Sequence, residues 1–212
     1  QGTLELVNHL PILQVITPML IAPILVVLNN KTLSWLLSFL GALACLFISI
    51  LLIQAVSDGS ILTYYLGGWV PPIGIEYRID AANAILLFLI SIISAIVLIF
   101  SYSSLHAEIP EEKHTLFYSC FLLCLTGLLG VVATADIFNV FVFLEISSLS
   151  TYVLVAQGAY LDRRALSASF NYLIMGTIGA TFFVIGIGYI YMATGSLNMM
   201  DIAERVSQLG DN

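Results

Sequence analysis

The chain contains six apolar runs, each about as long as a membrane-spanning helix, and this repetition constrains the fold more than any other feature. The hydrocarbon core of a bilayer is about 30 Å thick, so a helix needs about 20 apolar residues to cross it. The runs cover residues 10–28, 33–55, 82–101, 116–134, 137–156 and 166–192. Because 60% of the residues are hydrophobic and only 9% are charged, we predict an all-α, polytopic transmembrane helix bundle of about six helices.

Composition also excludes several functions. The six Lys and Arg residues are scattered and the formal net charge is -7, so no basic surface for nucleic acid is expected. Cys45, Cys120 and Cys124 lie inside apolar runs without a second pair of ligands, which favours a packing role over a metal site. No cysteine cluster, nucleotide-binding loop or haem motif is present, so we predict neither a metal nor a cofactor.

Glu145 is the residue of the fifth apolar run that most needs an explanation. A charge at the centre of a membrane helix costs at least about 2.5 to 3.5 kcal/mol, so this carboxyl is neutral, paired, or facing a hydrated interior. At about 100° per residue, Ser148 and Tyr152 share its helix face. Our hypothesis is that Glu145 carries protons along this polar stripe. The alternative is a neutral glutamic acid that only holds helices together.

Four other polar residues are further candidates. Asp136 precedes the fifth run, where capping of the helix start is the favoured interpretation. His106 and His114 belong to the charged segment 102–115, a predicted loop that either collects protons, binds a metal, or is simply solvated. A proton-entry role predicts that replacing both histidines slows transport. Asn171 is a candidate polar contact near the start of the sixth run.

Two segments outside the apolar runs have recognisable patterns. Residues 56–80 alternate aromatic and polar side chains between Gly and Pro, which predicts a short hairpin or ordered loop at the membrane surface. The stretch after Gly195 predicts a short amphipathic surface helix, with Ser196 or Asn198 as its cap. We therefore divide the chain into an N-terminal transmembrane hairpin with its outer loop (1–81), a set of transmembrane helices (82–193) and a surface tail (194–212).

Basic residues predict the orientation in the membrane. With the N-terminus outside, four Lys and Arg residues fall in cytoplasmic loops and two fall outside, as the positive-inside rule favours. The cytoplasmic set is Lys31, Lys113, Arg163 and Arg164, and the outer set is Arg78 and Arg205. We predict a multi-pass protein of the cell (cytoplasmic) membrane with its N-terminus outside.

Three stretches resemble a known family: ADIFNVFVFLEISSLSTY at 135–152, DRRALSASFNY at 162–172 and ATGSLNM at 193–199. The family is the antiporter-like subunits shared by Mrp-type cation/proton antiporters, membrane-bound hydrogenases and respiratory complex I, and the wording is most similar to the D-type subunit of Mrp antiporters. The resemblance implies that Glu145 is the essential intramembrane acid, paired with a lysine on the next, broken helix. It also implies a basic residue where this chain has Asn171.

The chain departs from the family pattern in length and in charge. Members have about fourteen spans in inverted repeats, whereas this chain has six apolar runs, none of which contains Lys or Arg. We expect the chain to represent the N-terminal part of such a subunit, or one half of a split subunit, with the partner lysine elsewhere. The repeat entering the antiporter-like module would then be incomplete after residue 193.

The expected function is a proton-translocating subunit of a multisubunit monovalent cation (Na+)/H+ antiporter. Its expected partners are the lipid bilayer, other membrane subunits, protons, and Na+ or another monovalent cation. One alternative is the same module in a redox-driven pump, whose redox chemistry would lie in other subunits. A second alternative is a scaffold that transports nothing.

Overall fold

The computed structural model describes residues 2–209 and contains six long helices and one short one. Each long helix contains one of the six apolar runs, so the predicted helix bundle is confirmed. Most long helices extend beyond their run, because a helix continues through polar residues once it leaves the hydrocarbon layer. The long helices are α1 Gly2–Leu28, α2 Lys31–Val56, α3 Ala81–Glu108, α4 His114–Ala133, α5 Ile137–Gln157 and α6 Arg164–Thr194; the short helix is α7 Met199–Leu209.

Helix α4 lies at the centre of the bundle and α6 at its edge. Helix α4 packs against α1, α2, α3 and α5, whereas the only long helix on which α6 packs extensively is α5. In the most apolar window of α4, 56% of the residues are buried, against 6% in α6. The surface of α6 is therefore available to lipid or to another protein segment.

Two glycines let α5 approach α4 closely. A β-carbon at Gly127 would lie 2.5 Å from the Cβ of Ser147, and one at Gly130 would overlap the ring of Phe143. The Phe143 side chain is buried against this helix. Close backbone approach through small residues is the usual way in which membrane helices pack, because lipid offers no hydrophobic drive for helix association.

A two-stranded hairpin forms within the segment 56–80, as predicted. Strand β1 (Leu62–Tyr65) pairs antiparallel with β2 (Glu76–Ile79). Gly67 and Gly68 adopt φ of 64° and 76° just after β1, a conformation that glycine reaches without strain. Strand β2 also bridges to Thr134 in the turn between α4 and α5.

The bundle has two ends, which we name by their contents. The hairpin end contains β1 and β2, the 134–136 turn and the link from α6 to α7. At the opposite, histidine end, Lys31 at the start of α2 forms an ion pair with Glu111 in the α3–α4 turn. The predicted outside location of the N-terminus would place the hairpin end outside.

The charged segment 102–115 is mostly helical and is not a loop. Helix α3 continues to Glu108 and α4 begins at His114, so only residues 109–113 connect the two helices. His114 is 2% exposed, which contradicts the interpretation of this whole segment as solvated. The predicted span for α3 ends at residue 101 because it was drawn from apolar content, whereas the helix ends at Glu108. Helix hydrogen bonding does not depend on hydropathy.

Candidate functional site

Helix α5 places Glu145 about halfway between the two ends of the bundle. The helix is capped by Asp136, whose Oδ1 accepts a hydrogen bond of 2.8 Å from the backbone N–H of Asn139. Glu145 follows nine positions after this cap, which at 1.5 Å per residue is about 13.5 Å along the helix. This depth is close to half of a bilayer core of about 30 Å.

Glu145 and Ser148 line a groove between α5 and α6. The groove has a volume of about 210 Å³. On α6 its wall consists mainly of small residues, which leave room for the carboxyl group. The other lining residues are Phe141, Leu144, Gly176, Gly179, Ala180 and Phe183.

Tyr152 lies on the same face of α5 and packs against α6. Its side chain is 8% exposed, and its phenolic oxygen fills the space beside Gly176. The backbone carbonyl of Tyr152 accepts a 2.6 Å hydrogen bond from the Ser169 hydroxyl. The Tyr172 ring meets the Tyr152 ring edge-on, with centroids 4.9 Å apart. Glu145, Ser148 and Tyr152 thus all face α6, in the order in which the helix presents them.

Among the side chains that the structure describes, those of residues 7–208, the carboxylate of Glu145 makes no hydrogen bond and no ion pair. The three ion pairs of this part of the chain involve Lys31, Arg164 and Arg205, which belong to the ends of the bundle. A carboxyl at this depth without a cation beside it gains nothing from charge compensation.

Asp136 is placed at the hairpin end, away from the groove. Its side chain is 7% exposed, and burial raises the pKa of this carboxyl although the backbone N–H of Asn139 opposes the rise. Its backbone also bridges to Asn198. The observed contacts are those of a helix cap, and the structure does not bring Asp136 together with Glu145.

A buried pair at the hairpin end escaped the sequence analysis. The Nδ2 of Asn198 donates a 2.7 Å hydrogen bond to Oε2 of Glu76, which lies 122 positions earlier in the chain. Both residues are buried, at 2% and 6% exposure. Asn198 also caps α7 by accepting from the N–H groups of Met200 and Asp201. The capping role had a sequence signal, but the contact with Glu76 had none.

The remaining candidates lie at or near the histidine end. The rings of His106 and His114 meet edge-on, with centroids 4.9 Å apart. Asn171 is exposed on α6 and takes no part in a hydrogen bond between described side chains. Over residues 7–208, whose side chains the structure describes, no three His, Cys, Asp or Glu side chains are arranged to hold a metal ion.

Comparison with known families matches the C-terminal part of the chain, a little over a third of its length, to a described group. Residues 134–212 match the family model described as "NADH:quinone oxidoreductase/Mrp antiporter, TM". This region contains α5, α6 and α7, and therefore the whole groove around Glu145. The resemblance read from the sequence is thus confirmed over the residues that form the site.

Curated relatives match almost the whole chain. NADH-quinone oxidoreductase subunit N of Desulforudis audaxviator is 40% identical over 96% of this chain. The D-type subunit of the Na(+)/H(+) antiporter is 30% identical in Alkalihalophilus pseudofirmus and 31% identical in Bacillus subtilis, over 95% and 96% of the chain. The chain spans about 40% of the length of these relatives.

Solved structures share the same fold. A chain of the membrane-bound sulfane sulfur reductase, an archaeal respiratory membrane complex, superposes with a TM-score of 0.81 at 32% identity. A chain of the Mrp complex from Dietzia sp. superposes with a TM-score of 0.77 at 21% identity. These matches cover 94% and 95% of this chain, and 40% and 39% of the respective matched chains.

Proposed function

We propose that the chain, which belongs to the antiporter-like family of membrane subunits, takes part in moving protons across a membrane. In this proposal Glu145 is the proton carrier. The observation that carries the proposal is the position of this carboxyl: mid-helix, at the α5–α6 groove, without a cation among the described residues. An ionisable group at such a depth is unfavourable in free energy, and such groups usually belong to functional sites.

Besides Glu145, the α5 face at the groove carries hydroxyl groups that can conduct a proton to and from the carboxyl. Ser148 lines the groove beside Glu145, and Tyr152 follows one turn further toward the histidine end. Hydroxyl groups both donate and accept hydrogen bonds, so they can order water beside a carboxyl that gains and loses a proton. A cation that approaches Glu145 would favour its ionised form, and withdrawal of the cation would favour proton uptake.

One version of this function is an Na+/H+ antiporter component in a multisubunit complex of the cytoplasmic membrane. Its support is the similarity to the D-type subunits of two Na(+)/H(+) antiporters over at least 95% of the chain. In this version a gradient of Na+ or another monovalent cation drives proton movement through the complete assembly. Other membrane subunits would be required to cover the groove, because α6, which forms one of its walls, is largely exposed.

A second version is the same module in a redox-driven complex. It is favoured by the 40% identity to NADH-quinone oxidoreductase subunit N and by the 32% identity to a chain of the sulfane sulfur reductase complex. In this version electron-transfer subunits supply the energy, and the chemistry of Glu145 is unchanged. The two versions therefore differ in the driving force and not in the proton carrier.

Proton movement in membrane vesicles that contain the complete assembly separates these versions. An imposed Na+ gradient drives proton movement without any electron donor if the assembly is an antiporter. An electron donor drives it without a Na+ gradient, and iron–sulfur subunits co-purify, if the assembly is redox-driven. An assembly that moves protons under neither condition would leave a scaffold as the function of this chain.

A further inference from the structure

His106 and His114 form a contact pair at the histidine end that the function described above does not use. His106 lies on the last turns of α3 and is exposed, whereas His114 is the first residue of α4 and is 2% exposed. Their ring centroids are 4.9 Å apart. One imidazole thus meets water while its neighbour is enclosed by protein, which is the arrangement needed to pass a proton inward.

The hydrogen bonds fix which nitrogen of each ring can receive a proton. Nδ1 of His106 lies 2.7 Å from the carbonyl oxygen of Tyr102, and Nε2 of His114 lies 3.0 Å from that of Ile109. A carbonyl only accepts, so each of these nitrogens carries the hydrogen of the neutral ring. Nε2 of His106 and Nδ1 of His114 are left as proton acceptors.

Charged and titratable groups reach the pair from every element around it. The Lys31 ammonium comes from α2, the Tyr102 phenol from α3 and the Tyr118 phenol from α4, and together with both histidines they line one small pocket. The carboxylate of Glu111, in the α3–α4 turn, is bound to Lys31 and interacts electrostatically with both imidazoles. Glu108, Glu112 and Lys113 are exposed to solvent nearby in the chain.

Lys31 and Glu111 place opposite charges beside the two rings. The carboxylate of Glu111 attracts a positive charge in the pocket, and the ammonium of Lys31 repels it. The pocket has a volume of about 20 Å³, enough for one water molecule between the groups.

We propose that His106 and His114 form a proton relay between the aqueous phase at the histidine end and the interior of the bundle. The proton binds Nε2 of His106 from water, and His114 receives it through Nδ1, while each ring keeps its hydrogen on the carbonyl-bound nitrogen. The same Nδ1 then releases the proton to a water molecule in the shared pocket, which Tyr118 lines one turn further into α4. This inference rests on the proposed proton-translocating function, which it supplies with an entry or exit group. No redox step or metal ion is required.

Nitrogen-15 NMR of labelled histidine in the assembled complex tests the pair itself. We expect the neutral form of His106 to carry its hydrogen on Nδ1 and that of His114 on Nε2. A His114→Gln variant identifies the signals of each ring by their loss. The opposite tautomer at either ring in the unaltered protein would overturn the proposal.

Proton transport in vesicles tests the role. We expect His106→Gln and the double variant His106→Gln/His114→Gln to slow transport several-fold at alkaline pH, where free protons are scarce. The third histidine of the chain, His9, packs against Tyr64 at the hairpin end, so His9→Gln is the matched control and should transport normally. The exposed His106 variant keeps the test valid if replacement of buried His114 impairs folding. Normal rates in both variants, alongside loss of transport in Glu145→Gln, would refute the relay and leave the proposed function intact.

Discussion

The phenolic oxygen of Tyr152 occupies the space in which a side chain at Gly176 would have to lie. A β-carbon at this glycine would overlap the oxygen and would lie 2.9 Å from Cζ of the same ring. Tyr152 follows Glu145 on one face of α5, and Gly176 lines the groove into which Glu145 faces. The width of the groove therefore depends on this close contact between α5 and α6.

Replacement of Gly176 by Ala is expected to push α6 away from α5 and to destabilise the protein by about 1–3 kcal/mol, as overpacking usually does. Thermal unfolding in detergent and proton transport in vesicles would both report the change. Removal of the oxygen in Tyr152→Phe should partly restore a Gly176→Ala variant. A β-carbon at Gly188 of the same helix meets no atom within 4 Å, so Gly188→Ala is the control. Equal effects at Gly176 and Gly188 would contradict the packing described here.

The Ser148 hydroxyl is expected to contribute to the rate of proton transfer but not to folding. Ser148→Ala should slow transport a few-fold, because one donor and acceptor for ordered water beside Glu145 is lost. Ser150→Ala is the control: this serine is buried and its hydroxyl bonds the Ile146 carbonyl of its own helix. Vesicle assays of both variants decide the matter, and equal rates for the two would argue against a path through Ser148.

The bond between Glu76 and Asn198 is expected to hold the hairpin onto the link between α6 and α7. Loss of a partner leaves a buried carboxylate unsatisfied, so Asn198→Ala should cost about 1–3 kcal/mol, and loss of the α7 cap adds about 1 kcal/mol. A double-mutant cycle with Glu76→Ala, which removes the acceptor of the bond, followed by thermal unfolding, separates the two contributions. Purely additive effects would show that the hydrogen bond contributes nothing.

Asp136 predicts a definite pH dependence of stability. Burial raises the pKa of this carboxyl in the folded protein, so the folded state binds the proton more tightly than the unfolded state. The charged carboxylate is then a cost that appears as the pH rises through the raised pKa and persists at neutral pH. Asp136→Asn keeps the cap oxygen without the charge, and should unfold at a higher temperature than the unaltered protein at neutral pH.

Acidification is the control for this Asp136 variant. The advantage of Asn over Asp should vanish as the pH falls below the usual range of an aspartate, because the native carboxyl is then neutral in both states. Asp136→Ala also removes the charge but loses the cap, and should be less stable than Asp136→Asn by about 0.5–2 kcal/mol at any pH. An advantage of the Asn variant that does not change with pH would refute the assignment of the effect to charge.

Hydropathy predicted the helices well because each must cross the same thickness of hydrocarbon. Helical periodicity was equally informative for Glu145 and Ser148, which share one face of α5 and do line one groove. The cap at Asn198 followed from its position before an amphipathic stretch. Local rules were sufficient for all of these features.

Contacts between distant segments could not be predicted in the same way. Glu76 belongs to a segment whose sequence predicts a hairpin or ordered loop at the membrane surface. Asn198 lies 122 positions later in the chain, and the two residues meet only in the folded protein. The charged surroundings of His114 suggested a solvated loop, yet the start of α4 turns this ring into the protein. In both cases the burial of a polar side chain depends on which helix ends meet, and a single sequence carries no signal for that.

The central claim is that Glu145 carries the proton, and its most direct test is proton transport by the complete assembly containing Glu145→Gln. Glutamine keeps the size and hydrogen-bonding capacity of the side chain but cannot ionise, so transport should be abolished while the assembly still forms. Glu145→Asp should retain part of the activity, and Glu112→Gln, which alters an exposed residue of the α3–α4 turn, should leave it unchanged. Transport at the normal rate in assembled Glu145→Gln would contradict the account, and loss of assembly in its place would assign Glu145 a role in helix packing.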